Sequence, residues 1–244
     1  MILTKIKKSL YNDFNATRRN LWLTQRLSEI PKNLRILDAG AGELKNKPLC
    51  SHLQYVSQDF GQYEGEDNGT GLHTGKWDTS KIDIVCDVIN IPEPDNSFDA
   101  ILCSEVLEHI PDPTLALKEF QRLLKPGGKL ILTAPFSSLV HFAPYYYCSG
   151  FSRYWYEHHL TKLGFAIDEL TPNGDWFDFC HQEIARLGIV AKRYGEKLWP
   201  LAYLLSLIGI MFFKLRRNKE PKASDLCSLG WHCIATKLQE QQKC

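Results

Sequence analysis

The chain has 244 residues, a formal net charge of +1 and no long basic run, so it lacks the electrostatic pattern of a nucleic-acid-binding protein. Its length suits one α/β domain, which we predict over residues 1–244. The eight cysteines are scattered without metal-ligand spacing, so no metal site is expected. Met1 to Leu10 lacks the apolar core of a signal peptide, and a reducing, cytoplasmic compartment is therefore expected.

A helix predicted over Thr17–Ile30 leads into the first strand, which carries the most informative pattern of the chain. Leu34–Leu37 is a short run, apolar apart from its arginine, and is typical of a buried parallel strand that Asp38 closes. Gly40 and Gly42 then predict a sharp turn that opens a helix and lets a ligand approach the backbone. Such a unit binds either a dinucleotide or an adenosine-bearing cofactor without phosphate groups.

The third residue after the second glycine distinguishes these two ligands. A dinucleotide fingerprint requires a third glycine, so that the following helix meets the pyrophosphate, but this position is Lys45. Asp38 would repel a diphosphate, whereas it suits a ligand that carries an ammonium group and ribose hydroxyls. The pattern therefore favours S-adenosylmethionine over NAD.

The remaining predicted elements alternate between strands and helices. This alternation predicts a doubly wound, mostly parallel sheet of seven strands in an α/β fold. A glycine-rich segment without periodicity, Phe60–Ser80, is predicted to be a long loop near the adenosine, where Trp77 covers the cofactor or anchors the loop. The further strands are predicted at 55–59, 82–86, 100–103, 129–133, 165–170 and 231–236, and a helix at 113–124.

Five motifs follow one another along the chain: Asp38-Ala-Gly-Ala-Gly42, Tyr55-Val-Ser-Gln-Asp59, Cys86–Asp99, Glu105-Val-Leu-Glu-His-Ile-Pro-Asp-Pro113 and Leu123–Pro135. In this order they resemble the class I S-adenosylmethionine-dependent methyltransferases, in particular the small type 11-like group. The resemblance runs from Leu34 to Asn173. It implies a Rossmann-like methyltransferase fold with an antiparallel last strand, and S-adenosylmethionine as the cofactor.

The resemblance also implies which residues bind the cofactor, because ligands of open α/β sheets lie at the carboxyl ends of the strands. Asp38 and Ser104 fall at such ends, with Asp38 facing the methionine end of the cofactor, while Gly40 and Gly42 admit its carboxypropyl chain. Asp59 is expected to accept hydrogen bonds from the ribose hydroxyls, since a carboxylate only accepts. Asp87 is expected to bind the adenine amino group, with the Val88 amide supporting the ring.

The acceptor side is predicted in two segments rich in histidine and aromatic residues. Glu105 and His109 follow the fourth strand and could contact the methionine end or deprotonate an acceptor, although His109 could equally hold the turn at 111–113. His141 is the first candidate for a general base. Tyr146 and Arg153 could orient a polar or anionic acceptor. The alternative is an aromatic-anchored loop over the cofactor that moves no proton.

These observations predict a methyltransferase that acts on a small or lipid-linked acceptor, with oxygen slightly preferred as the target atom. Methyl transfer from a sulfonium is an in-line displacement, which demands mainly alignment and exclusion of water. Two alternatives stay open. One is a non-catalytic scaffold that binds S-adenosylmethionine. The other is a Rossmann NAD-dependent oxidoreductase, which is disfavoured because Lys45 replaces the third glycine of the dinucleotide fingerprint.

An apolar segment near the end of the chain does not belong to these motifs. Residues 198–213 are almost wholly apolar and precede the basic run Lys214-Leu-Arg-Arg217. The segment is shorter than the roughly 20 residues that a spanning helix needs. It is therefore predicted to be a buried helix, a homodimer surface or an anchor that lies on a membrane surface, with burial or dimer contact preferred.

Overall fold

A computed structural model describes residues 14–63, 65, 71, 72, 75, 77–215 and 223–239. The chain divides into two compact units. The first comprises Met1–Arg18 and Pro172–Leu229, and the second comprises Arg19–Thr171 and Gly230–Cys244. The prediction of one domain over residues 1–244 stays a prediction.

Within the described residues, seven strands form one sheet in the order β3-β2-β1-β4-β5-β7-β6. Strands β1 to β5 pair in parallel, and β7 runs antiparallel to β5, from Lys129 opposite Thr236 to Pro135 opposite Gly230. The predicted seven-stranded, mostly parallel α/β fold with an antiparallel last strand is confirmed. The strands are β1 (Arg35–Ala39), β2 (Gln54–Asp59), β3 (Ile84–Val85), β4 (Phe98–Ser104), β5 (Leu124–Pro135), β6 (Phe165–Pro172) and β7 (Gly230–Lys237).

The described part of the chain contains five α-helices, and their beginnings follow from local sequence. Asp112 caps the second helix by accepting a hydrogen bond from the Thr114 amide (3.0 Å), with proline at its first position. Asp175 and Asp178 form a capping box at the fourth. The helices are α1 (Phe14–Ser28), α2 (Pro113–Leu123), α3 (Arg153–Lys162), α4 (Trp176–Arg193) and α5 (Trp199–Lys214).

The predicted helix directly after the first glycine turn is wrong. Residues 40–53 are all described, and they form turns and a 3₁₀ helix of four residues, Lys47–Cys50, but no α-helix. The backbone explains this result, because Gly40, Gly42 and Leu44 all have positive φ (73°, 50° and 59°), which an α-helix cannot contain. The turn therefore presents no long-helix N-terminus to a phosphate.

The core of the second unit lies on the two faces of the sheet. One face packs β1, β4, β5 and β7 against α2 and α3, with Phe98, Phe120, Tyr156 and Phe165 fully buried. On the other face, Leu23 and Leu27 of α1 pack on Ile36, and the Trp22 ring stacks on His232 (4.7 Å between centroids). This two-sided burial fixes the strand ends from which the site is built.

In the first unit, helices α4 and α5 pack closely through small residues. A Cβ at Gly188 would lie 2.6 Å from the Tyr203 backbone, and the Gly188 amide donates to Ser206 Oγ (3.1 Å). On the side of α5 away from α4, six apolar side chains are exposed: Leu201, Leu204, Leu205, Ile208, Met211 and Phe212. Because these side chains are exposed, the interpretation of this segment as a helix buried on all sides is wrong. No described helix has the length and apolar character that a membrane span requires.

Candidate functional site

A cavity of about 400 Å³ opens in the second unit at the carboxyl ends of β1, β2 and β4 and just beyond β3. The neighbours of β1 are β2 on one side and β4 on the other, so the strand order reverses here. Open α/β sheets bind their ligands at this kind of switch point. The wall includes these predicted site residues: Gly40, Asp59, Asp87, Val88, Glu105 and His109.

The glycine turn after β1 is closely covered by two side chains of the cavity wall. A Cβ at Gly40 would lie 2.4 Å from a Val106 methyl group, and a Cβ at Gly42 would lie 2.6 Å from the Trp77 ring. Both glycines have positive φ. Larger residues at these positions would therefore strain the backbone and displace the wall.

The Asp59 carboxylate is held by the backbone on both oxygens. Its Oδ2 accepts a hydrogen bond from the Gly42 amide (2.9 Å), and its Oδ1 accepts one from the Gly61 amide (2.9 Å). Each carboxylate oxygen has two lone pairs, so each retains acceptor capacity. The side chain lies on the cavity wall, where it can accept further hydrogen bonds from a hydroxyl-bearing ligand.

Gln58, which sequence reasoning missed, links the first glycine turn to the segment after β3. Its Oε1 accepts from the Gly40 amide (3.2 Å), and its Nε2 donates to the Cys86 carbonyl (2.7 Å). The bridge places Cys86, Asp87 and Val88 on the cavity wall. Burial raises the pKa of the Cys86 thiol. The glutamine directly before Asp59, near the end of β2, is the sequence signal for this link.

Asp38 and Ser104, two further predicted cofactor residues, lie at strand ends but not on the cavity wall. The Asp38 carboxylate accepts a hydrogen bond from the Tyr55 hydroxyl (2.7 Å), and burial raises the pKa of this carboxyl to about 6. Ser104 Oγ lies 2.8 Å from Thr133 Oγ1. Their contact with a cofactor stays a prediction.

Glu105 lies on the cavity wall in a constrained conformation. Its φ is +57°, and its amide donates to the Thr133 carbonyl (2.8 Å). Its carboxylate accepts from Thr133 Oγ1 (2.9 Å) and forms an ion pair with Arg19 (2.9 Å). These partners hold the Glu105 carboxylate in place. Its predicted contact with the methionine end or with an acceptor stays a prediction.

Three residues beside the cavity bring their polar atoms together: Glu108, His109 and His141. One atom of each lies within 4.8 Å of the others, and the two imidazoles meet edge to face (4.8 Å between centroids). Burial and the neighbouring His141 lower the pKa of His109 to about 4, so His109 is neutral at pH 7. Burial and the charge of Glu105 raise the pKa of Glu108 well above its usual range. Sequence reasoning assigned no role to Glu108.

Tyr146 and Arg153, the predicted acceptor-binding residues, do not line the cavity. The Tyr146 hydroxyl donates to the Ser138 carbonyl (2.6 Å), and its ring packs edge to face on His141. Arg153 forms an exposed ion pair with Glu157 on α3 (2.7 Å). The cavity wall instead carries the neighbouring Tyr145 and Tyr147. A direct role of Tyr146 or Arg153 in acceptor binding stays a prediction.

An aromatic cluster closes the side of the cavity above the glycine turn. The Phe142 ring stacks on Tyr63 (3.7 Å between centroids) and lies 4.8 Å from both Trp77 and His109. The sequence left two interpretations of Trp77 open, a cover of the cofactor and an anchor of the loop. These ring contacts are compatible with both. The cluster excludes water from one wall, which strengthens polar interactions inside.

The sequence model of the methyltransferase-domain family matches residues 37–132, which hold the glycine turn, the end of β2 and the strand ends of the cavity. Over residues 37–132, less than half of its length, the chain is similar to the methyltransferase-domain family. The fold and this match agree with the resemblance seen in the motifs.

Curated relatives match over short segments. One is a ubiquinone biosynthesis O-methyltransferase of Xanthomonas oryzae pv. oryzae, 58% identical over 41 residues. Another is a ubiquinone/menaquinone biosynthesis C-methyltransferase of Cellvibrio japonicus, 47% identical over 47 residues. The matches span 17% and 19% of this chain, and the same shares of the relatives' lengths.

A solved structure shares the fold across most of the chain. The phosphoethanolamine N-methyltransferase 2 of Haemonchus contortus in complex with S-adenosyl-L-methionine has a TM-score of 0.53 and 21% sequence identity. The likeness covers 91% of this chain and 53% of that one. At this identity it bears on the fold alone.

Proposed function

We propose that the chain binds S-adenosylmethionine and transfers its methyl group to an oxygen atom of a small or lipid-linked acceptor. The observation that carries the proposal is the Asp59 carboxylate, which the Gly42 and Gly61 amides hold on the cavity wall with acceptor capacity to spare. The glycine turn, this carboxylate and two acceptor-side candidates, Glu105 and His109, lie at one switch point of the sheet, which supports the proposal.

The shape of the first turn supports S-adenosylmethionine over NAD. A dinucleotide site uses the N-terminus of a helix after the glycines to bind the pyrophosphate, whereas residues 40–53 contain only turns and a short 3₁₀ helix. The Glu105 carboxylate also lies on the cavity wall, where it forms an ion pair with Arg19.

Oxygen as the target atom rests on the names of the partial relatives and on the two histidines near the cavity. One partial relative is named an O-methyltransferase and another a C-methyltransferase, both of quinone biosynthesis. A hydroxyl acceptor must lose its proton, and the histidines at 109 and 141 are the groups near the cavity that can take part in this step. We therefore favour a hydroxyl-bearing acceptor that fits an aromatic-walled cavity.

The test is a pair of calorimetric titrations of the purified protein, one with S-adenosylmethionine and one with NADH. We expect S-adenosylmethionine to bind and NADH not to bind. The opposite result would favour an NAD-dependent oxidoreductase. Formation of S-adenosylhomocysteine with fractionated extracts or hydroxylated aromatic compounds then tests turnover. Tight cofactor binding without turnover on any acceptor would favour the non-catalytic scaffold.

We also propose that the outward face of α5 contacts a membrane surface, which would bring the protein to a lipid-linked acceptor. The exposed leucine, isoleucine, methionine and phenylalanine side chains of this face carry no acidic neighbour within the helix. Lys192 lies 5.0 Å from the Trp199 ring at the start of α5, and this pair of types is common at membrane interfaces. The predicted basic flank at 216–217 lies outside the described residues. A homodimer through the same face is the competing outcome.

A further inference from the structure

The polar atoms of Glu108, His109 and His141 converge at distances that hydrogen bonds do not explain. His109 Nε2 lies 3.7 Å from Glu108 Oε1, and His141 Nε2 lies 3.9 Å from the same oxygen. Both separations exceed the range of a hydrogen bond. The three side chains therefore surround a common point without bonding to one another.

Glu108 is the most unusual member of this cluster. Its side chain is 1% exposed, and neither Oε1 nor Oε2 accepts a hydrogen bond from another described residue. Burying an unpartnered carboxyl group costs free energy, and native proteins rarely accept this cost without a function or a bound ion. The buried carboxyl thus needs a partner at the point that the two histidines also face.

Both imidazoles present an unprotonated nitrogen to that point when they are neutral. His109 Nδ1 lies 2.6 Å from the Tyr145 carbonyl, and His141 Nδ1 lies 2.9 Å from the Leu139 carbonyl. A carbonyl oxygen only accepts, so each Nδ1 carries the proton and each Nε2 has a free lone pair. A backbone carbonyl on the outer nitrogen is the usual support of a metal-binding histidine.

We propose that Glu108, His109 and His141 bind one divalent transition-metal ion. Two imidazole nitrogens and one carboxylate oxygen suit Zn²⁺, Fe²⁺ or Co²⁺ better than Mg²⁺ or Ca²⁺, which prefer oxygen ligands alone. Three protein ligands leave coordination positions for water or a substrate, which is the pattern of catalytic rather than structural metal sites. The ion supplies the partner that the buried carboxyl lacks.

His109 belongs both to this cluster and to the cavity wall, so the ion borders the cavity. Its role in turnover rests on the proposed function. An acceptor hydroxyl bound to the ion loses its proton to water more readily, because the cation stabilises the oxyanion. The oxygen then forms the new C–O bond as the C–S bond breaks, and the electron pair of that bond stays on the now neutral sulfur.

The test uses the full chain, stripped of metal with a chelator and titrated with Co²⁺ in the absence of cofactor and acceptor. We expect one equivalent to bind with visible bands of nitrogen and oxygen ligation and without the near-ultraviolet band of a thiolate. Glu108→Gln and His141→Ala should each weaken binding by more than the roughly 100-fold that loss of a supporting residue can cost. His158→Ala, on the exposed side of α3, is the matched control and should bind as the wild type does.

Two results would overturn the proposal. One is a folded wild-type protein that binds neither Co²⁺ nor Zn²⁺, and the other is binding that both variants retain. If Glu108→Gln fails to fold, His141→Ala decides, since the His141 side chain is 25% exposed and tolerates replacement more readily. Because the Co²⁺ titration involves no methyl transfer, metal binding without turnover would leave this site intact and count against the proposed function alone.

Discussion

The Gly42 amide donates a hydrogen bond to Asp59 Oδ2 at 2.9 Å, which joins the glycine turn after β1 to the last residue of β2. A single carboxylate therefore both shapes the turn and faces the cavity. Any ligand that hydrogen-bonds to Asp59 also lies against the turn, so the two motifs are expected to bind one molecule together.

Replacing Asp59 with alanine is expected to weaken S-adenosylmethionine binding by about 1.5–3 kcal/mol, the scale of hydrogen bonds to a charged group. Calorimetry gives the affinity. The affinity of Asp59→Asn, which keeps one acceptor oxygen, should lie between those of the wild type and Asp59→Ala. Asp168→Ala is the control, because Asp168 pairs with Lys129 away from the cavity. Normal cofactor affinity of Asp59→Ala would remove Asp59 from the cofactor site.

Gly42→Ala tests the close cover of the turn. Alanine at φ +50° costs about 1–2 kcal/mol, and its Cβ must displace the Trp77 ring from 2.6 Å. We expect lower thermal stability and weaker cofactor binding. The double variant with Trp77→Ala should recover part of the loss, because the clash disappears while the backbone strain remains. If the stability losses of Gly42→Ala and Trp77→Ala simply add in the double variant, the Trp77 ring does not clash with the new Cβ.

The buried Asp38 carboxyl predicts a pH dependence of stability. Its pKa is about 6 in the folded protein because of burial, against about 3.9 in the unfolded chain. Between these values the folded state binds more protons, so this group's stabilisation is present below about pH 4 and declines as the pH rises towards 6. The gap of about 2 units corresponds to about 3 kcal/mol.

Urea unfolding of the wild type and of Asp38→Asn at several pH values checks this effect. The free energy of unfolding of the wild type relative to the variant should fall from pH 4 to pH 6 and level off above pH 7. The comparison cancels the contributions of other titrating groups, such as His109. A difference that does not change with pH would contradict a raised pKa for Asp38.

His141→Ala is expected to reduce the rate of methyl transfer about 10²–10⁴-fold, the usual contribution of a group that assists proton loss. Its cofactor affinity should be unchanged, because His141 does not line the cavity. Single-turnover kinetics and calorimetry separate the two quantities, and His158→Ala is again the control. An unchanged rate would leave His141 with a packing role.

The outward face of α5 predicts sedimentation with liposomes, more strongly with anionic than with neutral lipid. Leu204 is 53% exposed, so Leu204→Asp should fold normally and lose this binding. Leu21→Asp, at an exposed position of α1, is the matched control. If the protein ignores vesicles and ultracentrifugation finds a dimer that Leu204→Asp dissociates, the face is a homodimer surface instead.

The sequence predicted the sheet and most of its strand ends, because buried parallel strands are apolar runs and their ends are marked by Asp38, Asp59 and Ser104. It could not predict the absence of a helix after Gly42, since that depends on positive φ at three alternate residues, Gly40, Gly42 and Leu44. Nor could it predict the convergence of Glu108 with His141. These residues are far apart in sequence. The Tyr147 and Cys148 amides, which donate to the Glu108 carbonyl (3.0 and 3.3 Å), hold the loop that carries His141 against the segment that carries Glu108.

The raised pKa of Cys86 bears on chemical selectivity. A sulfonium methyl donor alkylates any good nucleophile nearby, and a thiolate is among the best of them. Cys86 lies on the cavity wall, but its burial lowers the thiolate fraction at neutral pH below that of a free cysteine. On the proposed function, the smaller thiolate fraction would make Cys86 a poorer target for the methyl donor, and this difference would shrink as the solution becomes alkaline.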